Sequence, residues 1–169
     1  MVTDWNIKAG EIIVDARIAP PPANRVFAIV QTAVYEAANA ITKRYPSSTL
    51  KLEVAPGASV DAAVAAANRA TLVKLVPSQQ ASIETAYQAA LSKVSDGAAK
   101  SAGIAVGEQA AAAILALRAD DGAAGSESYR PYTTAGVYVP TTTPAVSQWP
   151  QRKPWVMTSP AQFRPGPPP

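Results

Sequence analysis

A single proline, Pro77, interrupts the chain between Pro56 and Pro131. Proline removes a backbone donor and clashes with the preceding turn, so a proline-poor stretch rich in alanine is free to form long helices. The chain has 36 alanines and 16 prolines in 169 residues, and 10 of those prolines follow Arg130. Hydrophobic residues make up 48% and charged residues 16%, a balance that can bury a core. These features predict an all-α fold with two unlike parts. A helical bundle of about five helices occupies residues 1–122, and a long extended Pro-rich and aromatic-rich C-terminal segment occupies residues 123–169.

Periodicity and breakers place the helices. The first runs from Trp5 to Ile18 with Asp4 as its N-cap, and Pro20-Pro21-Pro22 stops it. The second spans Ala23 to Tyr45, where Val26, Val30, Ala33, Ala37 and Ile41 form a stripe that Phe27, Val34, Ala38 and Tyr45 widen; Pro46 ends it. So wide a stripe marks the central helix of the bundle, with Gln31, Glu36, Asn39 and Lys43 at its margins. After a loop over residues 46–58, Ser59 caps a helix from Val60 to Val76, and Pro77 closes it. Ser78 caps a fourth helix reaching Val94, and Asp96 caps a fifth that ends near Ala119 before the turn Asp120-Asp121-Gly122. Gly103, Gly107 and Ala111 recur every four residues in that last helix, leaving a groove for close packing of a soluble neighbour.

Beyond Ala123 no period survives, and large rings stand singly: Tyr129, Tyr132, Tyr138, Trp149, Trp155 and Phe163. Flexible linkers are poor in such rings. The expectation is therefore a segment running over a surface with its rings docked in grooves, part of that surface belonging to a partner.

The chemistry available is narrow. The chain has no cysteine and no histidine, which excludes disulfides, thiol nucleophiles, Cys/His zinc sites and Ser-His-Asp triads built from this chain alone. Its net charge of +3 is spread over single or paired basic residues such as Lys43-Arg44 and Arg152-Lys153, without the stripe that tracks phosphates, so no nucleic-acid partner is expected. No membrane span is expected either, because the longest apolar run, Ile104 to Leu117, is broken by Glu108 and Gln109. The first residues lack the basic start and apolar stretch of a signal peptide, which leaves a cytoplasmic chain or one secreted after removal of a signal.

Few constellations of acids suggest themselves. Asp120 and Asp121, with Glu108 and Glu127 near in sequence, could collect a hard cation, but they lack the alternating oxygen donors of a calcium loop and read as a solvated helix end. Glu36 and Asp15 lie on core helices, where a carboxylate either pairs with an arginine such as Arg17 or Arg25 or acts as an acid or base; pairing is the expectation. There is no GxxxxGK[ST] or GxGxxG phosphate loop, and the PxxP spacing after Arg164 reads as a linker. These readings assign no catalytic, cofactor-binding or metal-binding residue.

Several segments together resemble a family. They are Trp5-Asn6, Pro21-Pro22-Ala23-Asn24-Arg25, the run from Ala28 to Ile41, Gly103-Ile104-Ala105-Val106-Gly107, Arg118-Ala119-Asp120-Asp121-Gly122, Gln148-Trp149-Pro150, Lys153-Pro154-Trp155, Ser159-Pro160 and Gln162-Phe163-Arg164-Pro165. In this order they are similar to the N-terminal half of vanadium-dependent haloperoxidase-like proteins, which belong to the type 2 phosphatidic acid phosphatase superfamily. The resemblance implies a mostly helical protein whose complete enzyme binds vanadate, or phosphate in its phosphatase relatives, in a C-terminal half. There a Lys, an Arg-Pro, a Ser-Gly-His and a later Arg and His hold the oxyanion. This chain departs from that set: against Arg164-Pro165 the family lysine falls on Met157, no Ser-Gly-His occurs and no histidine exists. No site residue is carried over.

What the resemblance implies is an N-terminal helical scaffold region, inactive alone, whose partner is a C-terminal catalytic half in cis or as a second subunit. The complete enzyme would perform peroxide-dependent halide oxidation, as an oxidoreductase, or phosphoester hydrolysis. The alternative is a free-standing helical protein-interaction or oligomerisation module, such as a homo-oligomer using the alanine and glycine face, without catalysis. A third reading is an independent metal-dependent enzyme using Glu36, Asp15 or the Asp120-Asp121 turn.

Overall fold

A computed structural model describes residues 1–46, 50–142 and 144–166. Its described residues contain five α-helices and no strand: α1 Val2–Asp15, α2 Pro20–Thr42, α3 Val60–Leu75, α4 Gln80–Leu91 and α5 Ala98–Leu117. Short 3-10 turns occur at Pro77–Gln79 and Trp149–Gln151. The chain divides into two compact units, Met1–Arg118 and Ala119–Pro169.

Within the first unit the centre is α3, not α2. From Ala62 to Asn68 every residue of α3 is buried, and the helix packs against α1, α2, α4 and α5. α2 keeps an outer edge, with Tyr35 44% exposed. The expectation favoured α2 because its large side chains make a visible stripe, whereas a helix faced with alanine on every side has no stripe to read. Small faces also permit the closest approach. A Cβ on Gly103 would stand 2.2 Å from the Ser59 carbonyl oxygen, and one on Gly107 2.3 Å from that of Ala63. The glycine spacing is therefore a packing seam between α3 and α5, with Cα–H groups directed at carbonyls where other residues carry a side chain.

The helix ends follow local chemistry that differs in places from the expectation. Pro20, Pro21 and Pro22 begin α2 instead of only stopping α1. The first-turn amides of a helix have no intrahelical acceptor, so losing them costs little, and the proline φ suits the start. α1 has already closed in a Schellman arrangement: the Ile18 N–H donates to Ile13 O at 3.2 Å, the Arg17 N–H donates to Val14 O at 2.9 Å, and Arg17 takes φ +53°. Asp4 lies inside the first turn of α1, its carboxylate 3.1 Å from the Met1 nitrogen, instead of capping it. α2 ends at Thr42 because Lys43 turns left-handed at φ +50° and donates its N–H to Asn39 O. Ser59 caps α3 as expected, accepting from the Ala62 N–H at 3.2 Å. Ser78 lies within the 3-10 turn before α4, and Gly97 precedes α5 at φ +142° while Asp96 pairs with Lys100 at 2.8 Å.

Buried polar groups on α3 are satisfied mostly by their own helix. Asn68 Nδ2 donates to Val64 O at 2.8 Å, and Thr71 Oγ1 donates to Ala67 O at 2.7 Å. Asn68 Oδ1 has no partner among the described residues.

In the second unit, turns and irregular backbone predominate. Hydrogen bonds fold the stretch back on itself: Lys153 N–H donates to Asp121 O at 3.0 Å, and Val146 N–H donates to Glu127 Oε1 at 3.0 Å. Gly122 turns at φ +83°, where its absent Cβ would meet Gln151 O at 3.3 Å.

Candidate functional site

A cleft of about 530 Å³ opens at the C-terminal end of α2. Glu36, Asn39, Ala40 and Lys43 form its α2 wall, and Tyr45, Leu50, Lys51, Leu52 and Val54 supply the rest. Asn39 builds that end. Its buried side chain accepts from the Tyr45 N–H through Oδ1 at 2.9 Å and donates through Nδ2 to the carbonyls of Tyr45 and Pro46, both at 3.3 Å. One amide thus holds the chain as it leaves the helix, which is why a polar residue recurs on an otherwise apolar stripe. Tyr45 then lies 6.1 Å from Tyr35, ring to ring, and Arg44 lies over the Tyr45 ring at 5.7 Å.

The cleft contains one carboxylate, Glu36, two ammonium groups, an amide and a phenol. These donors and this acceptor line one concavity, an arrangement that can hold a small polar ligand.

A second cluster joins three helices. Arg69 of α3 grips Glu84 of α4, with Nε 2.9 and 3.0 Å from the two carboxylate oxygens and Nη2 2.7 Å from Oε1. Its Nη1 stands 4.0 Å from Glu108 of α5, and its guanidinium lies 5.1 Å from the centre of the Tyr87 ring. The hydrogen bond to Glu84 outweighs desolvation and holds Arg69 in its charged form above the ordinary arginine range. Burial pushes the Tyr87 phenol up, and the Glu108 carboxylate adds to the shift. Every charge in this cluster has an opposite neighbour, so it reads as a strut between helices.

The acids singled out in the sequence go to different partners. Glu108 faces Arg69, and Glu127 accepts from the Val146 amide. Asp121 is 2% exposed, not a solvated helix end; it accepts from Arg152 and from the Ala123 N–H, the latter at 3.1 Å. Arg152 in turn lies over the Trp149 ring at 4.4 Å. Asp120 is exposed. Among the described residues no three carboxylates are grouped so as to hold a metal ion.

The expected arginine pairing of Asp15 and Glu36 does not form. Asp15 is exposed at the end of α1, Glu36 faces the cleft, and neither makes an ion pair among the described residues. Arg25 donates to Arg118 O at 3.0 Å, so it covers the carbonyl end of α5. The sequence reading missed the Arg69–Glu84 and Asp121–Arg152 pairs. A weak signal existed for the second, since Trp149 three residues before Arg152 is a stacking surface. No helix among the described residues is long and apolar enough to cross a membrane. In comparison with known proteins, the chain matches no protein-family model, no curated protein and no solved structure.

Proposed function

We propose that this chain is the N-terminal helical scaffold of a vanadium-dependent haloperoxidase-like or phosphatase-like enzyme. On this reading a catalytic half, in cis or as a second subunit, supplies the oxyanion site and the chemistry. The reading starts from the ordered resemblance of segments from Trp5 to Pro165. One structural observation carries it further: large apolar side chains of the second unit are left in solvent. Tyr129 is 43% exposed, Tyr132 63%, Tyr138 75%, Trp155 43%, Val156 95%, Met157 43% and Phe163 78%. Rings at this density are kept in a sequence where they will be covered, and contiguous exposed apolar surface of a few hundred Å² marks an interaction site.

The residues present do not fit vanadate or phosphate. A multiply charged oxyanion needs several guanidinium, ammonium or amide donors converging on one point. Here Arg69 is committed to Glu84, Arg152 to Asp121 and Arg25 to the Arg118 carbonyl, while Arg164 follows the exposed Phe163. Cofactor and turnover both belong to the catalytic half, and this chain would complete its core and shape access to it.

The test is the intact mass of the protein in its native source, read together with the coding sequence beyond residue 169. A longer product, or a co-purifying subunit, that carries Arg-Pro, Ser-Gly-His and a later histidine supports the proposal. A product of this length with no such partner, which binds no hydrophobic dye, refutes it and favours the free-standing interaction module.

A further inference from the structure

We propose that the cleft at the C-terminal end of α2 is a binding site for a small amphiphilic zwitterion, a molecule with a carboxylate at one end, an amine at the other and an apolar chain between them. The lining supplies a complement to each of the three parts. Glu36 precedes Lys43 by two helical turns, so their Cα atoms are about 10 Å apart along the axis of α2. Lys51 adds a second ammonium from the segment that follows the helix. Leu50, Leu52 and Val54 of the same segment are partly buried against the helical core and give the cleft an apolar wall.

The charged groups of the cleft are unspent. Elsewhere in the helical unit Lys8 pairs with Glu11, Arg69 with Glu84 and Lys100 with Asp96. The side chains of Glu36, Lys43 and Lys51 make no hydrogen bond or ion pair among the described residues, although they line one concavity. Its volume of about 530 Å³ is that of pockets which enclose small ligands. Asn39, by contrast, commits its amide to the backbone of Tyr45 and Pro46, so that end of the cleft is set before a ligand arrives.

Lys43 carries a further sign. Its backbone is left-handed at φ +50°, a conformation that glycine adopts without steric cost at a helix end. A lysine there gives up stability and keeps an ammonium in the lining. The two ammonium groups outweigh the partial negative charge of the α2 carbonyl end, so Lys43 and Lys51 take the carboxylate and Glu36 takes the amine. A ligand charged at both ends thus satisfies groups that two turns of helix keep from satisfying one another. All the lining residues belong to the unit Met1–Arg118, so this inference holds or fails independently of the scaffold reading.

Titration of the full chain with ω-aminooctanoate, octanoate and octylamine, followed by amide NMR shifts, tests it. Extended ω-aminooctanoate spans about 10 Å between its charged ends. It shifts the amides of Ala40, Lys43 and Leu52, and it binds roughly three- to fivefold more tightly than either single-ended probe, the contribution of one solvent-accessible charge pair. Glu36→Gln removes its advantage over octanoate. Lys51→Met and Lys43→Gly each reduce its advantage over octylamine, and Lys43→Gly does so with an unchanged circular dichroism spectrum because glycine suits the left-handed backbone. No shift with any probe, equal binding of all three, shifts confined to residues 129–163, or variants that bind ω-aminooctanoate as wild type does would overturn the proposal.

Discussion

Gly107→Ala tests whether close backbone packing between α3 and α5 is the organising contact of the helical unit. The added Cβ would lie 2.3 Å from Ala63 O, 2.8 Å from Ala66 Cβ and 2.9 Å from Ala67 N. Two of those atoms are backbone, so no side-chain rotation relieves the clash, and the helices must separate by about 1 Å to restore ordinary contact. A gap of that size forfeits a quarter to a half of the dispersion energy of each atom pair along the seam. The seam includes Ala62, Ala63, Ala66, Val106 and Ala110, all buried. Overpacking typically costs about 1–3 kcal/mol, and higher helix propensity returns roughly 0.5–1 kcal/mol. With a continuous seam and rigid obstacles, the upper part of that range applies, leaving a net loss of about 2 kcal/mol. For a helical unit spanning Met1–Arg118, at about 2.1 cal/mol/K of unfolding entropy per residue, that lowers the melting temperature by about 8 °C. Urea unfolding followed by circular dichroism at the helix band measures it, with Gly10→Ala, whose added Cβ would meet only Phe27 Cζ at 3.8 Å, as the control of opposite sign. A Gly107→Ala chain as stable as wild type, or more so, would refute the packing argument.

Asn68→Leu keeps the branching at Cγ and removes the buried, unpartnered Oδ1, so stability rises by about 1 kcal/mol in the same urea titration; a loss would show that the larger methyl groups overpack the site. Ser59→Ala lowers stability by about 1 kcal/mol through loss of the cap on the Ala62 N–H, read from the midpoint at constant slope. Asp121→Asn speeds hydrogen exchange at the Ala123 amide, which its carboxylate accepts; unchanged exchange would show that this turn forms without the carboxylate. Tyr87 has a raised folded pKa, so the native state holds its proton more tightly than the unfolded chain. Its contribution is complete below the ordinary tyrosine pKa of about 10 and is lost as pH rises through the higher folded value. Wild-type stability therefore falls above about pH 10 more steeply than that of Tyr87→Phe, measured by thermal melts across that range.

Helix number and several breakers were legible because they are local: Ser59 and Pro77 each act within a few residues of themselves, whereas α2 ends at Thr42, short of the expected stop at Pro46. The Gly103–Gly107 seam was legible for a related reason, since only a close neighbour explains small residues at that spacing. The identity of that neighbour was not. Hydrophobic periodicity ranks helices by large side chains, so it placed α2 at the centre and overlooked α3, whose alanines bury completely without marking a face. Long-range charge pairs were beyond local rules as well. Arg69 and Glu84 are 15 residues apart and meet because the Pro77–Gln79 turn doubles α4 back on α3; Asp121 and Arg152 are 31 apart. The acids chosen as candidates, Glu36 and Asp15, were picked by helix position alone, and that gives no information about which guanidinium approaches.

The two functional readings place the covered surface in different parts of the chain. The helical unit has a closed core in which Ile12, Ile29, Leu72 and Ile83 are fully buried, so it does not need a partner to form one. The second unit holds its path with a few hydrogen bonds and the Asp121–Arg152 pair, while its rings remain in solvent. A scaffold for a catalytic half would bury the side chains from Tyr129 to Phe163 on assembly, where each large ring covered is worth more than an alanine contact. An oligomerisation module without catalysis would leave those rings exposed. Hydrogen exchange and aromatic fluorescence in the assembled state therefore separate the readings by location: protection across residues 129–163 requires a partner shaped for the second unit, and protection confined to the helical unit does not.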